Sequence, residues 1–192
     1  DQLKVKSLKG FAVGGFPLGI SAAGALLVYL EQTQHSGLDN ICTLSRIEKG
    51  DFVWMDRFTL RNLEIFASTA GPEGSSLVDV IDRCQSPMGA RMLRSWLAMP
   101  SMDIDELNAR YDCIDAFISE VDICSGIRDH IAGLGDLERI ISRAATGKIQ
   151  PRELMQLGRG LSQLRPIAEG CAMLSCEPLN AILAQLSDCD SL

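Results

Sequence analysis

Apolar positions fall at helical spacing over most of the chain, and the exceptions come early. A glycine-rich stretch from Gly10 to Gly19, with Pro17 inside it, leads into alternating small and large apolar residues. These predict a tightly packed, buried helix over Ile20–Gln34, broken by Ser36-Gly37. Two β-prone runs follow, Asn40–Ile47 and Asp51–Asp56, joined by Glu48-Lys49-Gly50. They predict a β-hairpin with Phe52 and Trp54 on one side. Past Asp56 a short helix is expected over Thr59–Phe66, then a mobile loop, Ser68–Ser76, containing Gly71-Pro72 and Gly74.

From Leu77 onward the spacing is helical. Ser86-Pro87 pairs an N-cap hydroxyl with a proline at the first helical position, and the helix it starts must stop before Pro100. Gly89, Met92, Leu93, Trp96 and Leu97 fall on one face of it, so that stripe is expected in the core, with another backbone close against Gly89. Asp103 and Glu106 have capping-box spacing ahead of a helix to about Ser119. Further helices are expected over Ile123–Leu134, from the cap Asp136 to Thr146-Gly147, from Pro151 through Leu154, Leu157, Leu161 and Leu164, and over Leu179–Leu186. No fixed period recurs, so the helices do not predict a solenoid.

With 192 residues, 46% of them apolar, the chain can bury a substantial core. Its longest apolar stretch, Ile20–Leu30, is too short to span a bilayer. No signal or transit peptide is visible, and Asp1 is expected to mark a cut within a longer protein. Seven cysteines lack zinc-site spacing and are read as reduced thiols of a cytoplasmic protein. A net charge of −7 argues against an extended phosphate-binding surface.

Candidate chemistry is sparse. Thr146-Gly147-Lys148 lacks both the earlier glycine and the following hydroxyl of a phosphate-binding loop, and reads as a helix C-cap. Gly133-Leu134-Gly135 has no third glycine and follows no strand. His35 and His130 lack partner ligands and are assigned to the surface. The pairs Asp103/Asp105 and Asp136/Glu138 sit at helix starts, where acids complement the helix dipole. Arg57, Arg61, Arg91 and Arg94 are expected to pair internally, with Asp56, Glu64 and Asp82 as nearby carboxylates.

Several ordered blocks together carry a resemblance. Asp56-Arg57-Phe58-Thr59-Leu60-Arg61-Asn62-Leu63-Glu64-Ile65 comes first, then Ser76-Leu77 after the glycine-rich gap, then Met88-Gly89-Ala90-Arg91-Met92-Leu93-Arg94-Ser95-Trp96-Leu97 with Pro100. Arg110, Gly135-Asp136-Leu137-Glu138-Arg139 with Arg143, and Gly147 followed by Pro151-Arg152-Glu153-Leu154 continue the series. The chain resembles the core of the MutS family of DNA mismatch-repair ATPases, and Ser21–Leu30 resembles the last helix of that family's connector domain.

The resemblance implies a mainly α fold: residues 1–36 as the end of an α/β connector domain, and residues 37–192 as the first part of a helical core domain that begins with the β-hairpin. It implies an intact protein that is a dimer, recognises mismatched duplex DNA, uses ATP and Mg, and signals to a downstream mismatch-repair protein. This stretch itself is expected to be non-catalytic, with no cofactor, metal or membrane site. Asp56, Arg61, Asn62, Glu64, Gly89, Arg91, Trp96, Arg110, Asp136 and Arg139 are the expected structural and coupling residues. The competing reading is a stand-alone helical protein–protein interaction module.

Overall fold

The computed structural model describes residues 11, 13, 15–34, 41, 43–46 and 50–186. Ten α-helices are found among them, and no named strand: α1 Pro17–Gln34, α2 Arg57–Asn62, α3 Leu77–Ile81, α4 Pro87–Ala98, α5 Ile104–Ser119, α6 Val121–Gly133, α7 Leu137–Ala145, α8 Pro151–Leu161, α9 Leu164–Ala172 and α10 Glu177–Leu183. The mainly helical expectation is met. The expected connector–core boundary near residue 36 and the Ser36-Gly37 break lie outside the described residues.

Helices α5, α6, α9 and α10 close a ring, each packed on the next and α10 returning to α5. Inside it Ile127, Cys171, Leu174, Cys176 and Leu179 are buried, flanked by Cys113, Phe117, Ile123, Ile131, Ile167 and Leu183. The α6 contribution, Ile123, Ile127 and Ile131, recurs every four residues and so stays on one face. Gly170 permits the closest pairing, because a Cβ there would stand 2.8 Å from Ile127 Cγ1. Helices α7 and α8 pack on each other, and α8 joins the ring through α9.

Most helix starts follow the local chemistry read from the sequence. Ser86 Oγ accepts from Gly89 N at 3.1 Å ahead of Pro87. Asp103 accepts from the amides of Asp105 (2.9 Å) and Glu106 (3.2 Å), and Asp136 from Arg139 N (3.3 Å). The expected Asp103/Glu106 box is only half formed. Glu106 instead accepts from Ser101 Oγ at 2.5 Å, and Asp103 N donates to Ser101 Oγ at 3.2 Å. A full reciprocal box occurs at Ser76 and Asp79, which cap α3.

Three expectations are corrected. The helix predicted through Leu161 and Leu164 is two helices, broken at Ser162-Gln163. Pro166 has no N–H for the Ser162 carbonyl and its ring would crowd it, so the chain resets. The expected hairpin is absent among the described residues: Phe52 pairs antiparallel with Ser101 instead. Val53 N donates to Pro100 O (2.8 Å) and Met102 N to Asp51 O (3.0 Å), an extended partner created where Pro100 ends α4. Parts of the other expected arm, including Asn40 and Ile47 to Lys49, lie outside the described residues.

Burial of α1 is the third correction. It starts at Pro17, three residues before the predicted Ile20, as suits proline at a first helical position. Leu18 is 82% exposed, and Leu26, Val28 and Tyr29 also face outward. No helix of the described residues is long and apolar enough to cross a membrane.

The segment after α2 is held by Glu64 together with Ile65, whose carbonyl accepts from Val78 N at 3.0 Å. Glu64 has φ +50°, in the left-handed region that non-glycine residues seldom occupy. Its carboxylate accepts from Thr69 N at 2.6 Å and from the Thr69 hydroxyl, while its carbonyl accepts from Leu77 N at 2.9 Å. The loop predicted to be mobile is thereby stapled at both ends. Glu64→Ala is expected to speed limited proteolysis within residues 68–76 several-fold while the melting midpoint of the helical ring hardly moves; equal cleavage rates would sink the staple.

Candidate interhelical coupling site

Helix α4 is absent from the closely packed helix pairs, so side chains must fix its position. Arg91 makes the first joint. Its Nη1 and Nη2 donate to the two carboxylate oxygens of Asp136 at 2.9 and 2.7 Å, and Nε and Nη2 reach Glu138 Oε2 at 3.2 and 2.6 Å. The planar guanidinium thus spans both acids at the start of α7. Asp136 serves twice, since it also caps α7. The sequence reading paired Arg91 with nearby carboxylates; its partners lie 45 and 47 residues away.

The second joint lies at the other end of α4. Trp96 is 42% exposed and so does not belong to the core stripe predicted for it. Its ring faces the Arg110 guanidinium, whose central carbon lies 3.6 Å from the ring centroid. Arg110 in turn pairs with Glu106 one turn earlier on α5, and Glu106 holds Ser101. A cation–π contact therefore ties α4 to α5, inside a chain of charge-assisted contacts running to the Phe52–Ser101 bridge.

The remaining predicted residues divide. Asp56 caps α2 by accepting from Thr59 N at 2.7 Å, and Glu64 closes the loop already described. Arg61 and Asn62 end α2 and are exposed, with no side-chain hydrogen bond or ion pair among the described residues. Arg139 adds a favourable charge near Asp136 but bridges no helices. Gly89 is not a close-approach site: the nearest neighbours of a Cβ there are the Ser86 and Cys84 side chains at 3.4 and 3.5 Å.

Two contributors were missed or misplaced. Glu138 was read only as a dipole-compensating acid, and its pairing with Arg91 has no local signal. His130 was assigned to the surface, yet it is half-buried and its Nδ1 donates to Gln163 Oε1 at 2.9 Å, linking α6 to the start of α9. His35 lies outside the described residues.

Asp136 in the first joint, Glu106 in the second, and Glu64 are held below the ordinary carboxylate range. For Asp136 the main cause is the Arg91 hydrogen bond, partly opposed by desolvation. For Glu106 it is the Ser101 hydroxyl, and for Glu64 the Thr69 hydroxyl. Arg91 is correspondingly held above its usual value by Asp136 and then Glu138. Lowered carboxylates bind fewer protons folded than unfolded, so their stabilisation is complete above the unfolded values of about 4 and is lost as pH falls through the folded ones. The melting midpoint should be flat from about pH 6 to 7.5 and fall below about pH 4, less steeply in Asp136→Asn. An identical acid limb in the variant would rule out a contribution from this joint.

Thr146-Gly147-Lys148 closes α7 as expected. Gly147 takes φ +66°, and the Gly147 and Lys148 amides donate to the Ala144 and Arg143 carbonyls, each at 2.9 Å. Those amides are already engaged, so the residues do not fit a nucleotide phosphate. No cluster of three His, Cys, Asp or Glu side chains with metal-binding geometry exists among the described residues.

Residues 58–190 match the family described as MutS domain III, which covers more than half of the chain. The chain belongs to the MutS domain III family. Two similar relatives are both named DNA mismatch repair protein MutS. One, from Parabacteroides distasonis, is 46% identical over 189 residues, covering 98% of this chain; the other, from Christiangramia forsetii, is 43% identical over 191 residues, covering 100%. A third, from Cytophaga hutchinsonii, has the same name and is 36% identical over 191 residues. The chain spans 22% of the length of each of these relatives. The Arg91 and Trp96 joints therefore lie within the residues that match MutS domain III.

Proposed function

We propose that this helical segment is a mechanical relay inside a larger, dimeric cytoplasmic protein that recognises mismatched duplex DNA, binds ATP with Mg and signals to a downstream repair protein. Residues 1–36 would be the end of the connector, and residues 37–192 the first part of the core. The segment would bind neither nucleotide nor mismatch by itself, since its net charge is −7 and its glycine–lysine turn is engaged in closing a helix. The carrying observation is how α4 is attached: one guanidinium fork and one cation–π contact, with no close helix packing.

Such an attachment suits a part that has to move. A packed apolar interface resists sliding, whereas two localised polar joints can break and remake between discrete arrangements. Phe58, Ile104, Ile118 and Val121 are all more than 60% exposed, which gives neighbouring parts of a longer protein apolar surface to grip. In the intact protein, Arg91→Ala is expected to change the ATP-dependent rate of release from a G·T duplex by roughly 2- to 30-fold, with nucleotide affinity unchanged. Arg91→Lys should recover only part, because an ammonium cannot span both acids. A wild-type release rate in Arg91→Ala would remove α4 from the relay.

A further inference from the structure

Cys113 on α5 and Cys176, just before α10, are 63 residues apart in sequence, yet their sulfurs lie 3.8 Å apart. Both thiols are free. They share the wall of a groove of about 830 Å³ between α5 and α10. Small residues, among them Ala109, Ala116, Ser119, Ser175 and Ala181, leave the groove open along its length. Cys171 and Cys176 are both buried in the ring core, but only Cys176 also reaches the groove wall.

We propose that Cys113 and Cys176 form a dithiol modification site, which a cationic low-molecular-weight disulfide converts to an intramolecular disulfide. One protein thiolate attacks the small disulfide, forming a mixed disulfide and releasing one small thiolate. The second protein thiolate then attacks the protein sulfur of the mixed disulfide, and the second small thiol leaves. Two protein thiols lose two hydrogens in total, and one disulfide becomes two thiols, so atoms and electrons balance.

Geometry and charge carry the argument. A disulfide is about 2.05 Å long, so the two sulfurs, 3.8 Å apart, must approach by roughly 2 Å, and the groove leaves their side chains space to rotate. The groove is lined by Glu106, Asp112, Asp115 and Glu177 against the single guanidinium of Arg110. That imbalance concentrates cations and repels anions. Burial, then Cys176, pushes the Cys113 thiol up to about 11, so exchange is slow at neutral pH and quickens in alkaline solution.

The test treats the reduced 192-residue chain at pH 8 with cystamine, or with glutathione disulfide at the same concentration, followed by alkylation of free thiols and peptide mapping. Cystamine is expected to join the Cys113 and Cys176 peptides with loss of two hydrogens, at least about three times faster than the anionic glutathione disulfide. The melting midpoint should rise on oxidation and return with dithiothreitol. Cys113→Ser and Cys176→Ser should each instead retain one cysteamine on the remaining thiol. The proposal is overturned if both thiols stay alkylatable while Cys84 reacts, if each holds its own cysteamine without a cross-link, or if glutathione disulfide reacts as fast as cystamine.

Discussion

Leu174→Ala is expected to destabilise the chain by about 2–5 kcal/mol, the range for removing a buried leucine side chain where the surroundings relax only in part. Leu174 is 2% exposed and sits among Ile127, Cys171, Cys176 and Leu179 at the centre of the ring. It lies in the turn between α9 and α10, where Leu174 N donates to Cys171 O at 3.1 Å and Cys176 N to Leu174 O at 2.8 Å. Those bonds fix the backbone, so neighbouring side chains cannot follow the lost atoms inward. Urea titration should show a lower midpoint at unchanged slope, and the melting midpoint should fall by on the order of 10 °C. Leu154→Ala is the control, because Leu154 is 59% exposed despite lying in the apolar stripe read from the sequence. Equal losses in the two variants would mean that the core has been misplaced.

That contrast shows what a sequence reveals and what it hides. Caps are short-range chemistry, so Ser86, Asp103, Asp136 and Pro151 were legible, and with them the starts of α4, α5, α7 and α8. Periodicity finds helix faces but cannot rank them by depth. It put Trp96 and Leu154 inside, and it was silent on Leu174, which belongs to no helix. Pairings across 45 or more residues depend on the assembled topology. Arg91 was picked out as a residue, but its partners at the start of α7 were not, and Phe52 found Ser101 in place of its predicted hairpin neighbour.

The two joints of α4 are easier to understand together than apart. Arg91 grips the start of α7, while Trp96, about one and a half turns further on, grips α5 through Arg110. A displacement of α4 along its axis would strain both at once, whereas a rotation about either joint would strain chiefly the other. The acids that receive Arg91 also complement the positive end of α7, so releasing the fork leaves Asp136 still capping its helix. Breaking the joint therefore need not unravel α7. This is the property a relay requires, and it places the proposed motion at α4 rather than in the ring.

Glycine substitutions separate the parts of the fold that are tightly packed from those that are not, and they do so with opposite signs. Gly160→Ala is expected to cost about 1–3 kcal/mol, because the added methyl would stand 2.5 Å from both the Leu134 carbonyl oxygen and Leu137 Cδ2. The carbonyl has little room to retreat, since Gly135 beside it turns the chain at φ +67° into α7. Gly158→Ala, two residues earlier on α8, meets nothing within 4 Å and should stabilise by up to about 1 kcal/mol through helix propensity. Gly89→Ala, whose nearest neighbours lie in ordinary contact at 3.4 Å, should be neutral or mildly stabilising. Urea midpoints for the three variants decide the matter. A loss at Gly89 matching that at Gly160 would restore the close backbone approach expected of α4 from its sequence, and would make α4 a packed part of the core. The predicted order, Gly160 alone destabilised, leaves α4 held by Arg91 and Trp96 and the tight packing between α8 and the turn that leads into α7.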